Sequence, residues 1–411
     1  LSNDYNLYLK RIQNHIMLFE LKNIELRKED DNLYNEYTKI QGNLIFIFQN
    51  KKHTVQQMYK YLESSDRELR KKAYETISTE KIKVKDSISD IFIKQINIRN
   101  QIAKNLNFSN YVQYKFLELE RFDYTPDDCF LFHNSIKKLI LPITIKFAEL
   151  RKSKLNISTL RPYDLSVDIY GSNELKPFKN VNELLEKTYF VFDKINPLFT
   201  NILKLMNEKS LLDLETREGK APGGYMMPLP ETKLPFIFMN ASGVHSNLVT
   251  LIHEAGHAFN HYLIRNEIIF EYNWATAEIQ EVASMAMELI TMEYWDVFYP
   301  NRIDFIRAQL RQFERVIKCF PWIVAIDSLQ HWIYTQKEIN IYKLISQWNI
   351  INDELAPYIN YSNYENYKSL LWQNQIHIFG YPFYYIEYAI AQIGAFNLWI
   401  NYKKDKTETI N

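Results

Sequence analysis

Two histidines and a glutamate near residue 255 have the spacing of a metal site. They stand in the run His253-Glu254-Ala255-Gly256-His257. If this run is helical, both imidazoles lie on one face, one turn apart, where both can reach the same ion. Glu254 points beside that position and can take a proton from an attacking water. The run predicts a catalytic zinc site with His253 and His257 as ligands and Glu254 as general base.

Catalytic zinc needs a third protein ligand and one open coordination position. Two glutamates on one face of a downstream helical pattern can supply that ligand, Glu278 and Glu281. The interval after His257 leaves room to end one helix, turn near 271–274 and return antiparallel. Spacing alone leaves open whether Glu281 binds the metal while Glu278 orients a ligand, or the reverse. Glu288 shares the face and is a further candidate for the orienting role.

Two short apolar runs before the histidines predict a small sheet. Turn-forming residues at 218–224 precede Tyr225–Met227, and Phe236–Met239 follows after a second loop. Gly223 and Gly224 carry no side chain, so a peptide backbone can approach them closely. We expect the strand that begins at Tyr225 to pair with an extended substrate through main-chain hydrogen bonds.

The histidine run lies on a predicted helix over residues 248–263. Ser242 and Gly243 end the sheet, and Ser246 or Asn247 is expected to cap the helix. His245 comes directly before this helix, where it either approaches the substrate or packs in the core.

The chain as a whole predicts a mainly α-helical fold. Its 411 residues contain only nine glycines and 13 prolines. Apolar residues recur at helical spacing, as in the segment 85–98. Polar breaks near Glu29–Asp31 and Ser64–Asp66 are expected to divide the N-terminal helices, and Thr125 followed by Pro126 predicts a helix start. A polar loop at 161–180 suggests two lobes, an N-terminal helical lobe over 1–165 and a catalytic lobe over 166–411.

Composition excludes several classes of function. The 49 basic and 49 acidic residues balance, so no field favours nucleic acid or an anionic membrane. Cys129 and Cys319 lie far apart without metal-type spacing, which is typical of thiols in a reducing compartment. The apolar window 381–400 is interrupted by polar groups and predicts a buried helix rather than a membrane span. We expect a cytoplasmic protein. Because Leu1 replaces an initial methionine, we also expect a trimmed chain.

Tyrosines near the C-terminus could complete an active site. Tyr381, Tyr385 and Tyr388 fall at positions i, i+4 and i+7, with Pro382 at the expected first turn of a helix, so their hydroxyls could line a cavity. In a chain with 29 tyrosines, such a stripe is also an ordinary core pattern. Spacing leaves both interpretations open, while His331 is expected to be a hydrogen-bonded core residue.

The sequence resembles the thimet oligopeptidase and oligoendopeptidase F family of zinc peptidases, and is closest to the bacterial oligoendopeptidase F side. The resemblance covers about residues 80–400 and rests on the HEAGHAF run and on further segments in family order. These segments are residues 108–111, 160–164, 220–225, 234–240, 278–285, 330–334 and 382–388.

The resemblance implies a two-lobed helical metallopeptidase with a small β element beside the zinc helix. It implies one Zn²⁺ per chain with Glu281 as third ligand. It also implies that His377, Tyr381 and Tyr388 contact the substrate and the oxyanion. Two departures stand out. Asn260 replaces a usual histidine beside the zinc site, and the chain is shorter than typical members at its N-terminus and between about 338 and 365.

The resemblance implies an endopeptidase that cuts short, unstructured peptides, and we expect neither nucleic-acid nor membrane partners. An exopeptidase with the same zinc site is one alternative, which would require a basic group at one end of the channel. A peptide-binding relative without catalysis is the other, and the intact Glu254 argues against it.

Overall fold

The computed structural model describes residues 5–171, 174–217, 220, 223–273 and 275–410. Its α-helices are α1 Asn6–Met17, α2 Lys22–Gly42, α3 Val55–Leu62, α4 Arg67–Lys83, α5 Lys85–Asn105, α6 Tyr111–Glu118, α7 Pro126–Leu139, α8 Leu141–Leu155, α9 Val181–Ile195, α10 Pro197–Glu208, α11 His245–Ile264, α12 Ala277–Ile290, α13 Arg302–Thr335, α14 Ile341–Leu355, α15 Glu365–Lys368, α16 Ile376–Gly380, α17 Tyr385–Lys404 and α18 Lys406–Ile410. Short 3-10 helices occupy Pro162–Asp164, Phe270–Asn273, Thr291–Val297 and Leu371–Asn374. The predicted mainly α-helical fold is confirmed.

The strands form two small sheets. They are β1 Phe46–Phe48, β2 Lys51–His53, β3 Leu212–Glu215, β4 Tyr225–Leu229 and β5 Leu234–Ala241. β1 and β2 make an antiparallel hairpin. β5 lies between parallel β3 and antiparallel β4. The pair predicted from the apolar runs is β4 and β5. β3 and the hairpin were not predicted from the sequence.

The chain divides into two compact units. The first unit comprises residues 1–172 and 317–386, and the second comprises 173–316 and 387–411. This division differs from the expected lobes 1–165 and 166–411, because residues 317–386 group with the N-terminal helices. Such long-range packing leaves no local sequence signal.

In the first unit, a buried ion cluster joins helix α4 to the 3-10 helix Pro162–Asp164. Asp164 is fully buried, and its carboxylate accepts hydrogen bonds from Arg67 and Arg70 at 2.8–3.0 Å. The Arg70 guanidinium also donates to the Tyr163 carbonyl. Two arginines satisfy the buried carboxylate, which would otherwise be costly.

The second unit has a continuous apolar core under the sheet and around α11. The buried face of α11 includes Leu248, Leu251, Ile252, Ala255 and Phe259, at the spacing of an amphipathic helix. These residues pack with α9, α10 and β5. The opposite face of α11 carries the two predicted metal histidines.

Some local predictions hold and one is wrong. Helix α7 begins as predicted, and Asp128 accepts hydrogen bonds from the backbone and the hydroxyl of Thr125. The break at Ser64–Asp66 separates α3 from α4. The break at Glu29–Asp31 is wrong, because α2 continues through it and Asp30 pairs with Arg99 at 3.0 Å.

The predicted turn residues Glu218, Gly219, Ala221, Pro222 and Trp274 lie outside the described residues. Among the helices that are described, none combines the length and apolar character needed to cross a membrane.

Candidate metal centre

Helix α11 starts where the sheet ends because Asn247 turns back to cap it. The Asn247 carboxamide oxygen accepts hydrogen bonds from the backbone N–H groups of Ser242 and Val244, at 2.8 and 3.3 Å. Gly243 has a φ of +92°, a conformation that favours glycine. The helix therefore begins at His245, a few residues earlier than predicted, with Asn247 inside its first turn.

Gly256 lets helix α12 approach α11 closely. A Cβ atom at Gly256 would lie 2.6 Å from the Ser284 Cα and 2.9 Å from the Ala283 carbonyl oxygen. Those atoms belong to the backbone, so they could not move aside without shifting α12. Ser284 stands one turn after Glu281, and this close crossing brings the Glu281 carboxylate to the two histidines.

The atoms of three side chains form a small triangle on α11 and α12. His253 Nε2 lies 3.2 Å from His257 Nε2 and 3.4 Å from Glu281 Oε2, and His257 Nε2 lies 3.7 Å from the same oxygen. A tetrahedral zinc about 2.0–2.2 Å from each ligand requires ligand atoms about 3.3–3.6 Å apart. The triangle fits a zinc ion, with the fourth position left for a small molecule.

Glu288 orients one histidine of the triangle. Its Oε1 lies 2.7 Å from His253 Nδ1, the ring nitrogen on the far side from the triangle. Gln312 donates to the other Glu288 oxygen at 2.6 Å, and Arg315 forms an ion pair with it. A carboxylate behind a metal-binding imidazole fixes the tautomer and orientation of the ring. Glu288 has the geometry of the orienting role for which the sequence made it a candidate.

The cluster is electrostatically suited to a cation. Burial would lower the pKa of His253, but hydrogen bonds and charges from Glu281 and Glu288 outweigh burial and raise that pKa to about 10. Burial and the charge of His253 lower the pKa of His257 to about 4. Burial alone would raise the pKa of both Glu281 and Glu288, yet the nearby positive groups hold both below the usual value. The carboxylates thus attract one positive charge into the triangle, which a divalent cation can supply.

Glu254, the predicted general base, is buried on α11 beside strand β4. The residue is 7% exposed, and the backbone N–H of Met226 helps to lower the pKa of its carboxyl group. Burial, with a smaller contribution from Glu281, raises the pKa of Glu254 to about 7, despite the opposing charge of His253 and the hydrogen bond from Met226. A carboxylate with a pKa near neutrality can both take and return a proton.

The register of the sheet explains why the Met226 N–H is available. The N–H of Ile237, which stands opposite Met226, donates to Leu211 on the β3 side. The backbone groups of Met226 therefore face away from β5. Pro228 and Pro235 oppose each other two residues on, where neither needs an N–H for this pair of strands. The outer edge of β4 thus has backbone groups that are not used in pairing with β5.

The residues expected to contact substrate beside the sheet have clear packing roles. Gly223 has a φ of +102°, and a Cβ at Gly224 would lie 2.8 Å from a Thr250 methyl on α11. Tyr225 is half exposed and stacks on Phe238, with ring centroids 5.0 Å apart. Gly224 thus lets β4 lie close to α11, and the Tyr225 ring packs β4 against β5. Contact of these residues with substrate stays a prediction.

His245 lies in the core of the second unit. Its Nδ1 lies 2.7 Å from the Tyr299 hydroxyl, and its ring packs edge-on against Trp295. Burial and the positive charges of Arg311 and Arg315 lower the pKa of His245 to about 3. The buried ring offers little surface to a substrate, so packing accounts for what is observed here.

His377, Tyr381 and Tyr385 belong to the first unit and lie close together. The His377 ring centroid is 6.4 Å from that of Tyr381 and 4.8 Å from that of Tyr385, and Tyr384 stacks on His377 at 6.2 Å. Tyr381 is 54% exposed. Gln375 holds His377 Nδ1 through a 2.6 Å hydrogen bond.

The predicted helical stripe of tyrosines is only partly formed. Helix α17 begins at Tyr385, so Tyr381 and Pro382 lie before it. Phe383 interrupts the helix with a φ of +66°, and its backbone is held by hydrogen bonds with Gln330 and Arg121. Tertiary contacts thus override the local spacing. Tyr388 lies on α17 in the second unit, and its role at the oxyanion stays a prediction.

A narrow cavity reaches the triangle at His257, and its lining includes Met226 and Gln280. A larger cavity of about 160 Å³ is lined by residues that include Pro228, His261 and Ile268. Pro228 and His261 line both cavities.

Sequence reasoning missed the residues that position the site. Gln312 and Arg315 act through Glu288 from a different helix, and Met226 acts through its backbone. A backbone donor gives no signal in residue type. Glu278 stands in the first turn of α12, and its orienting role stays a prediction.

Comparisons with known proteins agree with this geometry. The family model described as peptidase family M3 matches residues 60–410. An oligoendopeptidase F homolog of Borreliella burgdorferi strain B31 is 23% identical in an alignment 443 residues long, gaps included. The alignment covers 99% of this chain and 70% of that protein. Oligoendopeptidase F of Lactococcus lactis subsp. cremoris is 22% identical, over 80% of this chain and 53% of that protein.

Among solved structures, PZ peptidase A with an inhibitor superposes with a TM-score of 0.90 at 29% identity, covering 98% of this chain and 71% of that chain. The chain thus spans from about half to about seven-tenths of the length of these relatives.

Proposed function

Since the chain belongs to peptidase family M3 and is of the oligoendopeptidase F type, we propose that it is a zinc-dependent endopeptidase. Its proposed substrates are short, unstructured peptides, which it cuts at internal bonds. The observation that carries the proposal is the triangle of His253, His257 and Glu281 with the buried Glu254 beside it.

The chain's own residues account for the acid–base chemistry. When bound, zinc supplies an activated water and polarises the scissile carbonyl. Glu254 takes the proton of the attacking water and returns it to the leaving amine. The Met226 N–H favours the ionised form of the Glu254 carboxylate, because it lowers the pKa of that group. Glu288 keeps the His253 ring turned toward the metal position.

The family resemblance supports one further set of roles: Tyr388, with Tyr381 and His377, would stabilise the oxyanion and hold the substrate. The sequence pattern supports another: the outer edge of β4, together with Gly223, Gly224 and Tyr225, would pair with the substrate backbone. Tyr385 would line the same site.

Peptides with both termini blocked test the proposal. An acetyl group and a terminal amide remove the charges that an exopeptidase requires, so an endopeptidase alone should cut such peptides. The protein is loaded with zinc and incubated with blocked and free peptides of graded length. Products are identified by mass spectrometry, and metal content is measured on the same sample.

Glu254→Gln is the matched control, because the amide keeps the shape but cannot accept the proton. We expect the variant to bind zinc and to lose several orders of magnitude in turnover. Cleavage limited to free termini would identify an exopeptidase. Absence of cleavage by the zinc-loaded protein would identify a binding protein without catalysis.

A further inference from the structure

A second group of metal-ligand residues lies in the first unit, apart from the catalytic cluster. Cys129 and His133 stand four residues apart on α7, and Asp327 and His331 stand four residues apart on α13. Each pair therefore lies on one helix face. All four side chains are buried, with exposures between 0 and 4%. Neither the expected catalytic residues nor the proposed mechanism uses any of them.

The four side chains converge on the Asp327 carboxylate. Its Oδ2 lies 2.8 Å from His133 Nε2 and 3.3 Å from His331 Nε2. The Cys129 Sγ, a carboxylate oxygen of Asp327 and a ring nitrogen of His331 all lie within 4.8 Å of one another. Ser328 holds the other nitrogen of the His133 ring at 3.2 Å.

Two polar atoms in this cluster are poorly satisfied. Among the described residues, Asp327 Oδ1 has no hydrogen-bond partner, and His331 Nε2 has only the 3.3 Å ion-pair contact with Asp327 Oδ2. Leaving such a group unsatisfied in the interior costs about 1–3 kcal/mol. The surroundings are apolar, because the rings of Phe130 and Phe383 pack on His331 with centroids 4.8 and 5.0 Å away. A cation bound between the two atoms would satisfy both.

We propose that Cys129, Asp327 and His331 supply three ligands to a second zinc ion that ties α7 to α13. His133 stays outside the coordination sphere and orients Asp327. Thiolate, imidazole and carboxylate are the three donors that zinc takes in proteins. The thiolate and the carboxylate balance the two charges of the ion, which matters at a buried position. Zinc bond lengths of about 2.0–2.3 Å require side-chain shifts of about 1 Å from the observed spacing.

The cysteine distinguishes this site from the catalytic one, whose triangle contains no sulfur. Cobalt(II) replaces zinc in such sites and gives an intense near-ultraviolet band only when a thiolate binds it. We expect the band in the cobalt-loaded full chain. Cobalt loading without the band would overturn the proposal, and this holds whatever the protein's peptidase activity.

Variants show which cysteine gives the absorption band and which site holds each metal ion. Cys129→Ser should lose the band and one of two metal ions per chain, whereas Cys319→Ser, the matched control, should keep both. His253→Ala should keep the band and lose only the catalytic ion, which separates this proposal from the proposed function. A band that disappears with Cys319→Ser instead would also contradict the assignment. If Cys129→Ser fails to fold, the cobalt spectrum and the metal count of the wild type still show whether a second, thiolate-containing site exists.

Discussion

Glu281 reaches His253 and His257 because α12 crosses α11 at the level of Ser284. Spacing in the sequence allowed either Glu278 or Glu281 to bind the metal. The structure brings the Glu281 oxygen to 3.4 Å from the His253 nitrogen. Glu278 stands one turn earlier on α12, at its first turn. The distinction between the two glutamates therefore rests on where two helices cross, which a single sequence does not state.

The choice of ligand can be tested directly by zinc affinity. Glu281→Ala removes one of three protein bonds and should weaken zinc binding more than any change outside the triangle. Glu278→Ala should weaken it by about 10–100-fold at most, as an orienting residue does. Competition with a chelator measures both. The assignment is wrong if Glu278→Ala strips the metal while Glu281→Ala keeps it.

Tyr388 is the residue where catalytic and packing roles give opposite expectations. Tyr388→Phe removes only a hydroxyl, so a packing residue should tolerate it. An oxyanion donor acts mainly in the transition state, so its loss should lower kcat about 10²-fold, about 2.7 kcal/mol, with KM nearly unchanged. Tyr384→Phe is the control, because Tyr384 stacks on His377 through its ring. If Tyr388→Phe and Tyr384→Phe both have small and equal effects on kcat, Tyr388 has a packing role only.

At the scale of single residues, the sequence predicted the side chains of the candidate site but not the groups beside them. The histidine run and the proposed general base Glu254 were predicted from residue type and spacing. The nearby Met226 N–H was not, because every residue except proline carries one. Cys129 shows the same limit, since its proposed partners Asp327 and His331 lie on helix α13 and the sequence showed only two isolated cysteines.

At the scale of elements, Gly256 sets the distance between the two metal-binding helices. Gly256→Ala should gain up to about 1 kcal/mol in helix propensity. The new Cβ would lie 2.6 Å from backbone at Ser284, and such overpacking typically costs about 1–3 kcal/mol. We expect lower stability and weaker zinc binding, because α12 must move and carries Glu281 with it. Melting and chelator competition measure the two effects.

Gly42→Ala is the control for Gly256→Ala. A Cβ at Gly42 meets nothing within 4 Å, so this change should leave both stability and zinc binding nearly unaltered. If the two variants behave alike, close approach at Gly256 does not control the site.

Asp164 makes the contact between α4 and the 3-10 helix Pro162–Asp164 sensitive to pH. Burial alone would raise the pKa of Asp164, but hydrogen bonds from Arg67 and Arg70 hold it below the usual value. In the unfolded chain, an aspartate has a pKa of about 3.9. The stabilisation is therefore fully present above about pH 5 and is lost as the pH falls through the lowered folded value.

Hydrogen exchange of the α4 amides at several pH values tests this dependence. At neutral pH, Asp164→Asn should lower the free energy of opening by about 3–5 kcal/mol, because it removes the negative charge that pairs with the buried Arg70. The difference from wild type should shrink below about pH 4. Glu231→Gln, which changes an exposed acid, is the control. A difference that stays constant down to pH 2 would contradict the ion-pair explanation.

Element boundaries were predictable where local chemistry sets them. The start of α7 follows from Thr125 and Asp128, whose side chains complete the cap locally. The expected break at Glu29–Asp31 failed because Asp30 pairs with Arg99, which is far away in sequence. The helix expected from Tyr381 onward begins later for the same reason, since Gln330 and Arg121 hold the backbone of Phe383.

At the scale of the molecule, the division into units depends on contacts between distant segments. Residues 317–386 belong to the first unit although they follow residues 173–316, which form most of the second unit. Hydrophobic spacing predicts helices, but it does not say which helices share a core. The helical character of the whole chain could thus be predicted, while its grouping into units could not.

The two proposed metal sites lie in different units, so each ion should stabilise a different set of helices. A ligand that binds only the folded state stabilises it by about 4 kcal/mol when its free concentration is about 1,000 times Kd. His253→Ala should therefore speed hydrogen exchange mainly in α11 and α12 of the second unit. Cys129→Ser should speed it mainly in α7 of the first. Chelation of the wild type should do both.

Mass spectrometry of hydrogen exchange resolves these helices in one experiment on the full chain. Added zinc should restore slow exchange to the chelated wild type but not to the altered site of either variant. This specificity separates loss of a bound ion from a general loosening of the fold. If zinc leaves exchange in α7 unchanged while it slows exchange in α11, the second site does not exist and the catalytic one stands. If zinc changes exchange in neither unit, both sites are wrong.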